Sequence, residues 1–174
     1  MLLESYSEPD SGLLRFETLA MGTQNVLLLA GGDPGALRGA AQEAFEELDR
    51  LEQRLSKFIP SSDVALLNSL GASRPVRVGE DLLRLLFLSR QAWELTGGAF
   101  DPTIGELMRA WGLVDMEGRI PDEAEIQDLL SRRGMHHVLA DPDARAAGFD
   151  RPGVSIDLGA IGKGYAVDLI AERI

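Results

Sequence analysis

The sequence predicts an α+β fold, with a mixed or antiparallel sheet and packed helices. Three observations lead there. Two strand-like runs near the N-terminus, 13–20 and 24–30, are parted only by Met21-Gly22-Thr23. Long runs with apolar residues at helical spacing follow. Strand-like and helix-like runs then alternate irregularly, which argues against repeated βαβ units.

Residues 1–12 are polar and acidic and read as a loose, flexible tail. Residues 13–20 alternate and include Phe16 and Thr18, so they read as a strand. Residues 24–30 read as a second strand whose centre, Val26-Leu27-Leu28-Leu29, is expected to be buried. Gly31-Gly32-Asp33-Pro34-Gly35 is a turn. Across 36–55, Leu37, Ala41, Ala44, Phe45, Leu48, Leu51 and Leu55 share one helical face. Glu43, Glu46, Glu47 and Asp49 are expected on the solvated face.

Residues 56–62 read as a loop, and Ser62 or Asp63 can cap a short helix from Val64 to about Asn68. Residues 75–78 suggest a strand. Residues 81–95 form a helix so rich in Leu, Phe and Trp that burial nearly all round is expected. A helix over 106–111 follows, then one from Pro121 to about Arg133 with Gly134 as its C-cap. Residues 136–140 read as a strand, where His136 and His137 would point to opposite faces and could not ligate together. Residues 145–149 are expected to pair with 154–157, and 165–174 to be helical. Trp93 and Trp111 read as core anchors and Asp168 as a surface charge.

With 174 residues and 45% hydrophobic content the chain can bury a real core. The net charge of −11 and the absence of a basic stripe argue against a nucleic-acid partner. There is no cysteine, hence no disulfide and no thiolate metal site. No run is long and apolar enough for a transmembrane segment. The N-terminus lacks the basic and apolar regions of a signal peptide, so the sequence as it stands is expected to be cytoplasmic.

Two stretches stand out chemically. In Thr96-Gly97-Gly98-Ala99-Phe100-Asp101-Pro102-Thr103-Ile104-Gly105, two glycines break a helix. Pro102 then holds Asp101 extended just ahead of the next helix, a polar, anion-tolerant place. A plain C-cap followed by an Asp N-cap reads the same pattern. In Asp157-Leu158-Gly159-Ala160-Ile161-Gly162-Lys163-Gly164, a glycine-rich connection carries Lys163 into a helix. Its N–H groups could face phosphate, or it could be a simple strand-to-helix link. It is neither a Walker A nor a Rossmann fingerprint. By their positions alone, Met21 and Phe58 read equally well as core cover, and Thr103 as a helix-start hydroxyl.

Taken in order with Met21-Gly22-Thr23, Ser56-Lys57-Phe58, Ser61-Ser62-Asp63 and Leu67-Asn68, these stretches resemble the FAD:protein FMN transferases of the ApbE family. The resemblance runs from about residue 13 to the end. It implies an ApbE-like, T-fold-related architecture in which 13–174 form the N-terminal portion of a single transferase domain. It also implies a Mg2+-dependent enzyme that splits FAD, passes FMN to a Ser or Thr of a target flavoprotein and releases AMP. Some relatives hydrolyse FAD to FMN and AMP instead. Matched by motif position, the flavin-nucleotide contacts would be Met21, Phe58, Ala99, Phe100, Asp101, Asp157 and Lys163. The Ala160 carbonyl would be a metal ligand. No catalytic residue is assigned.

Later segments usual in the family, a histidine-containing one and an Ala-Asp-x-x-x-Thr one, are missing here. The sequence therefore reads as the N-terminal part of a longer protein, a split gene product or a degenerate relative. Alone it is expected to lack most metal ligands, to be weakly active or inactive, and to expose a sheet edge or apolar face. Alternative readings are a non-catalytic FAD-binding module, or a half-domain that needs a partner chain. Family members are often periplasmic or membrane-anchored.

Overall fold

The computed structural model describes residues 12–114 and 118–174, and the backbone of 3–7. The chain divides into two compact units, residues 1–53 with 163–174, and residues 54–162.

In the first unit, β1 (Leu3–Ser7), β2 (Leu14–Ala20) and β3 (Thr23–Leu29) form an antiparallel sheet in that order. Residues 3–7, expected in a loose tail, are thus a strand: they pair with 14–17 across a register shift between Glu4 and Tyr6. The rest of that tail before Gly12 lies outside the described residues. Met21 and Gly22 make the two-residue hairpin loop, with φ of 54° and 68°. Both angles are positive, as a type I′ turn requires, and Met21 adopts this conformation without being glycine.

Along β2, Leu14, Phe16, Thr18 and Ala20 are buried in alternation. The expected buried centre of β3 is not found, because Val26 and Leu28 are exposed. Strand alternation sends these two side chains to the sheet's other face. On α1 (Pro34–Leu55), Ala41, Ala44, Phe45, Leu48, Leu51 and Leu55 are buried, as the helical stripe predicts, while Leu37 at its start is half-buried. Glu47 departs from its solvated reading. It is buried, with Arg50 donating to both carboxylate oxygens at 2.9 and 2.7 Å and Arg173 at 3.1 Å. A carboxylate can be buried here because two guanidinium groups compensate it.

The second unit holds α2 (Asp63–Leu70), β4 (Val76–Arg77), α3 (Glu80–Leu95), α4 (Gly105–Ala110), α5 (Glu123–Leu130), β5 (Val138–Asp141) and β6 (Ala146–Phe149). The strands form an antiparallel sheet ordered β4-β6-β5. Helix α6 (Gly162–Ala171) closes the chain, and Asp168 on it is exposed, as expected.

Several expectations are corrected here. β6 pairs with β4 and β5 rather than with 154–157, whose one bridge is a parallel contact between Ser155 and Ile104. Helix α3 buries Leu82, Leu85, Leu86 and Ser89, while Phe87 and Leu95 are exposed, so it is amphipathic rather than buried all round. Trp111 is 40% exposed and is no core anchor. Helix α5 is shorter than predicted: Asp122 caps its start by accepting from the Glu125 amide, and Ser131 ends it.

Ser62, not Asp63, caps α2. Its buried hydroxyl accepts from the Ala65 amide at 3.0 Å and donates to the Ser56 carbonyl at 2.5 Å. Asp63 instead accepts from the Gly79 amide at 2.9 Å. Ser62→Ala is expected to lower stability by about 1–2 kcal/mol, read from urea unfolding followed by circular dichroism.

Residues 135–137 form a 3₁₀ turn rather than the start of a strand, with the His137 amide donating to the Gly134 carbonyl at 3.0 Å. The two imidazoles consequently lie 3.8 Å apart by ring centroids instead of on opposite faces. His137 is buried, and its Nδ1 is 3.0 Å from the Asp150 carboxylate. That hydrogen bond, aided by the charges of His137 and Arg151, holds the Asp150 carboxyl below its ordinary value despite some desolvation. A lowered native pKa stabilises the fold above the unfolded-state value and loses that effect as pH falls through the native one. Asp150→Asn should therefore be less stable than the parent at neutral pH. The difference should shrink through acid titration below about pH 4, measured by thermal unfolding across pH.

Candidate functional site

The first motif begins where α3 ends. The Thr96 hydroxyl donates to the Ala92 carbonyl at 2.7 Å and accepts from the Phe100 amide at 3.0 Å, folding the chain back on the helix end. Gly97 and Gly98 sit at φ of 60° and 83°, in the left-handed region that favours glycine. Asp101 is buried but does not cap the next helix. Helix α4 begins at Gly105, and its N-cap position is Ile104, with no side-chain cap bond. One Asp101 oxygen accepts from both the amide and the hydroxyl of Thr103, at 2.9 and 2.5 Å. The carboxylate thus closes its own turn, the local bond with which short acidic side chains compete against capping. Its other oxygen lies 3.7 Å from Arg133. The Thr103 hydroxyl also accepts from the Gly134 amide at 2.5 Å, so this residue ties two loops together rather than merely starting a helix.

The second motif meets the first through main-chain bonds. The Asp157 amide donates to the Pro102 carbonyl at 2.8 Å, and the Gly105 amide donates to the Ser155 carbonyl at 3.1 Å. Gly105 allows this approach, since a Cβ there would stand 2.6 Å from the Ser155 hydroxyl oxygen and 3.0 Å from its carbonyl oxygen. Between these contacts, buried Ile156 is held by Asn68. The amide oxygen of that side chain accepts from Ile156 N–H at 2.8 Å, and its nitrogen donates to the Ile156 carbonyl at 2.9 Å. Asn68 thereby supplies what a neighbouring strand would otherwise provide.

Both oxygens of Asp157 are engaged. One accepts from the Gly159 amide at 2.8 Å, and the other lies 2.6 Å from Lys57 Nζ. After the turn at 158–161, α6 starts at Gly162. Lys163 and Gly164 are therefore exposed residues of its first turn. Gly159, Ala160 and Lys163 are all exposed.

A cleft of about 300 Å³ opens beside this junction, lined in part by Lys57, Phe58, Asn68, Glu106, Arg109 and Ser155. Phe58 is 69% exposed, and Lys57 Nζ stands 5.0 Å from the centre of its ring. Arg109 donates to both oxygens of Glu106 at 2.6 and 2.7 Å, so the charges along the cleft occur as pairs. An exposed ring beside hydrogen-bonding side chains suits a planar, polar-edged ligand.

Of the residues singled out by sequence, Phe58 lines this cleft and Asp157 touches it through Lys57. Asp101 is buried beneath the same junction, Phe100 is half-buried and Ala99 is exposed. Met21 is half-buried in the β2–β3 turn of the first unit. Lys57, Asn68, Glu106, Arg109 and Ser155 carry no role in the sequence reading. Lys57 and Asn68 lie within quoted motif segments, but their partners are 100 and 88 residues away.

No group of three His, Cys, Asp or Glu side chains able to hold a metal ion occurs among the described residues. The Ala160 carbonyl on its exposed turn is a single hard donor, whereas Mg2+ takes six oxygens. No described helix is long and apolar enough to cross a membrane.

Curated relatives of this sequence are named FAD:protein FMN transferases. An FAD:protein FMN transferase of Treponema pallidum (strain Nichols) is 30% identical over 90% of this chain and 45% of its own length. One from Klebsiella pneumoniae (strain 342) is 26% identical over 95% of this chain and 51% of its own. The crystal structure of the ApbE protein from Thermotoga maritima superposes with a TM-score of 0.83 at 30% identity, covering 92% of this chain and 52% of that one. The chain thus spans about half the length of the curated relatives it matches. Residues 21–174 match the ApbE family, and the chain belongs to that family.

Proposed function

We propose that this chain is the flavin-nucleotide-binding portion of an FAD:protein FMN transferase. The observation that carries the reading is the junction of the two motif loops, Pro102 to Asp157 and Ser155 to Gly105, beside the cleft that Phe58 lines. The volume of that cleft suits one ring of a dinucleotide rather than the whole molecule. Phe58 is offered as a stacking face for such a ring. Met21, Ala99, Phe100, Asp101, Asp157 and Lys163 remain candidates for the other contacts. Lys163 is exposed at the first turn of α6.

In the reaction proposed for the whole enzyme, a Ser or Thr hydroxyl of the acceptor flavoprotein attacks the FMN-side phosphorus of FAD. A new P–O bond forms, the pyrophosphate P–O bond breaks, and AMP leaves with the bridging oxygen while the hydroxyl loses its proton. This chain's own part is binding and alignment, which can account for much of such a barrier. Mg2+ would neutralise charge on the phosphate oxygens when bound. The Ala160 carbonyl would be one ligand.

A second reading, equally open to a chain that spans about half the length of its relatives, is a non-catalytic FAD-binding module. Isothermal titration of FAD with and without Mg2+, with an assay for AMP release, separates the two. Binding strengthened by Mg2+ with AMP release supports a transferase or a pyrophosphatase, and a Ser/Thr-containing acceptor peptide tells these apart. Tight binding indifferent to Mg2+ supports the module. Absence of FAD binding in both conditions overturns the flavin reading for this chain.

A further inference from the structure

We propose that Lys57 is a positioning residue for the flavin-nucleotide site. Its ammonium clamps the Asp157 turn and the Phe58 ring together at the cleft. The proposal rests on the reading above, and its first test is independent of flavin.

The geometry is specific. Lys57 Nζ lies 2.6 Å from one Asp157 oxygen and 5.0 Å from the centre of the Phe58 ring. The Lys57 and Asp157 side chains are only 20% and 12% exposed, so water screens the pair weakly. The second Asp157 oxygen receives the Gly159 amide, so the orientation of this carboxylate sets the turn leading to Ala160 and α6. Lys57 itself comes from the loop after α1, immediately before Phe58. One ammonium therefore links the residue expected to stack on a ring to the turn expected to face the nucleotide. An ammonium has three donors and no acceptor, so it can serve a carboxylate and a ring face at once.

Charge acts in the same direction. Glu106 is neutralised by Arg109 within the same cleft. Removing the Lys57 charge would leave Asp157 as an uncompensated carboxylate at a site meant for an anionic diphosphate. The loss would fall on affinity, through repulsion and through release of the turn, without Lys57 touching the ligand.

The test compares Lys57→Met, Lys57→Arg, Asp157→Asn and the Lys57→Met/Asp157→Asn pair. In the free protein, amide exchange at Gly159 is expected to quicken about tenfold in Lys57→Met, with the unfolding midpoint little changed, and to return toward the parent rate in Lys57→Arg. Unchanged exchange at Gly159 would overturn the proposal whatever flavin does. FAD titration is then expected to show affinity falling about tenfold in Lys57→Met, recovered in Lys57→Arg. Lys57→Met should cost little when residue 157 is already Asn. An equal loss in both backgrounds would mean that Lys57 meets the ligand itself, and would overturn the positioning role. If the parent binds no FAD, the flavin reading fails, while the exchange result still decides whether Lys57 holds the turn.

Discussion

Asn68→Ala is expected to lower stability by about 2–4 kcal/mol, the largest effect of any single substitution considered. The side chain makes both main-chain hydrogen bonds of Ile156, at 2.8 and 2.9 Å, and Ile156 is fully buried. Truncation would leave a donor and an acceptor unpaired in the interior, each costing about 1–3 kcal/mol unless water enters. Asn68→Asp sharpens the comparison. It keeps an acceptor for the Ile156 amide but sets an oxygen against the Ile156 carbonyl, so it should destabilise as well. Asn68→Leu should not rescue, because bulk is not what the position supplies. Urea unfolding of the variants checks the ordering; a loss under about 0.5 kcal/mol in Asn68→Ala would show that the two bonds do not hold the loop.

Gly105→Ala should cost about 1–3 kcal/mol, through crowding rather than a lost partner. The added Cβ would lie 3.0 Å from both the Cβ and the carbonyl oxygen of Ser155 and 2.6 Å from its hydroxyl. The hydroxyl can rotate away, but the main chain cannot. The two segments must part, stretching the Gly105-to-Ser155 bond and then the Asp157-to-Pro102 bond beside it. FAD affinity, if present in the parent, should fall further than stability predicts, because the junction sets the cleft. The combination of Ser155→Ala with Gly105→Ala separates the terms. It relieves the hydroxyl contact alone, so most of the loss should remain if main-chain crowding is the cause.

How much of this was legible in the sequence depended on how local the deciding interaction was. The α1 stripe from Ala41 to Leu55 was readable because helical spacing places those side chains on one face before any tertiary contact forms. A cap at Ser62 or Asp63 was readable because a cap needs only the next three residues, and the structure chose Ser62. The Met21-Gly22 interruption was readable because a two-residue loop needs unusual backbone angles. Burial was harder to read. Val26 and Leu28 are as apolar as buried Leu29, yet both are exposed on β3. Glu47 is a charged residue whose burial depends on Arg173, far along the chain.

The site divides in the same way. Residue types at motif spacing identified both loops and the family, because family-specific glycines and acids are visible without coordinates. Those residues could not disclose that Asp101 spends its carboxylate on Thr103, or that Lys57 answers Asp157 across 100 residues of sequence. The amino-acid order by itself determined the local pieces: helix faces, turns and the two motifs. Only the tertiary structure decided which charges pair, which apolar faces stay open and how closely the motif loops meet. Long-range contacts follow from packing and from the need to satisfy buried polar groups, and neither has a signature at short sequence separation.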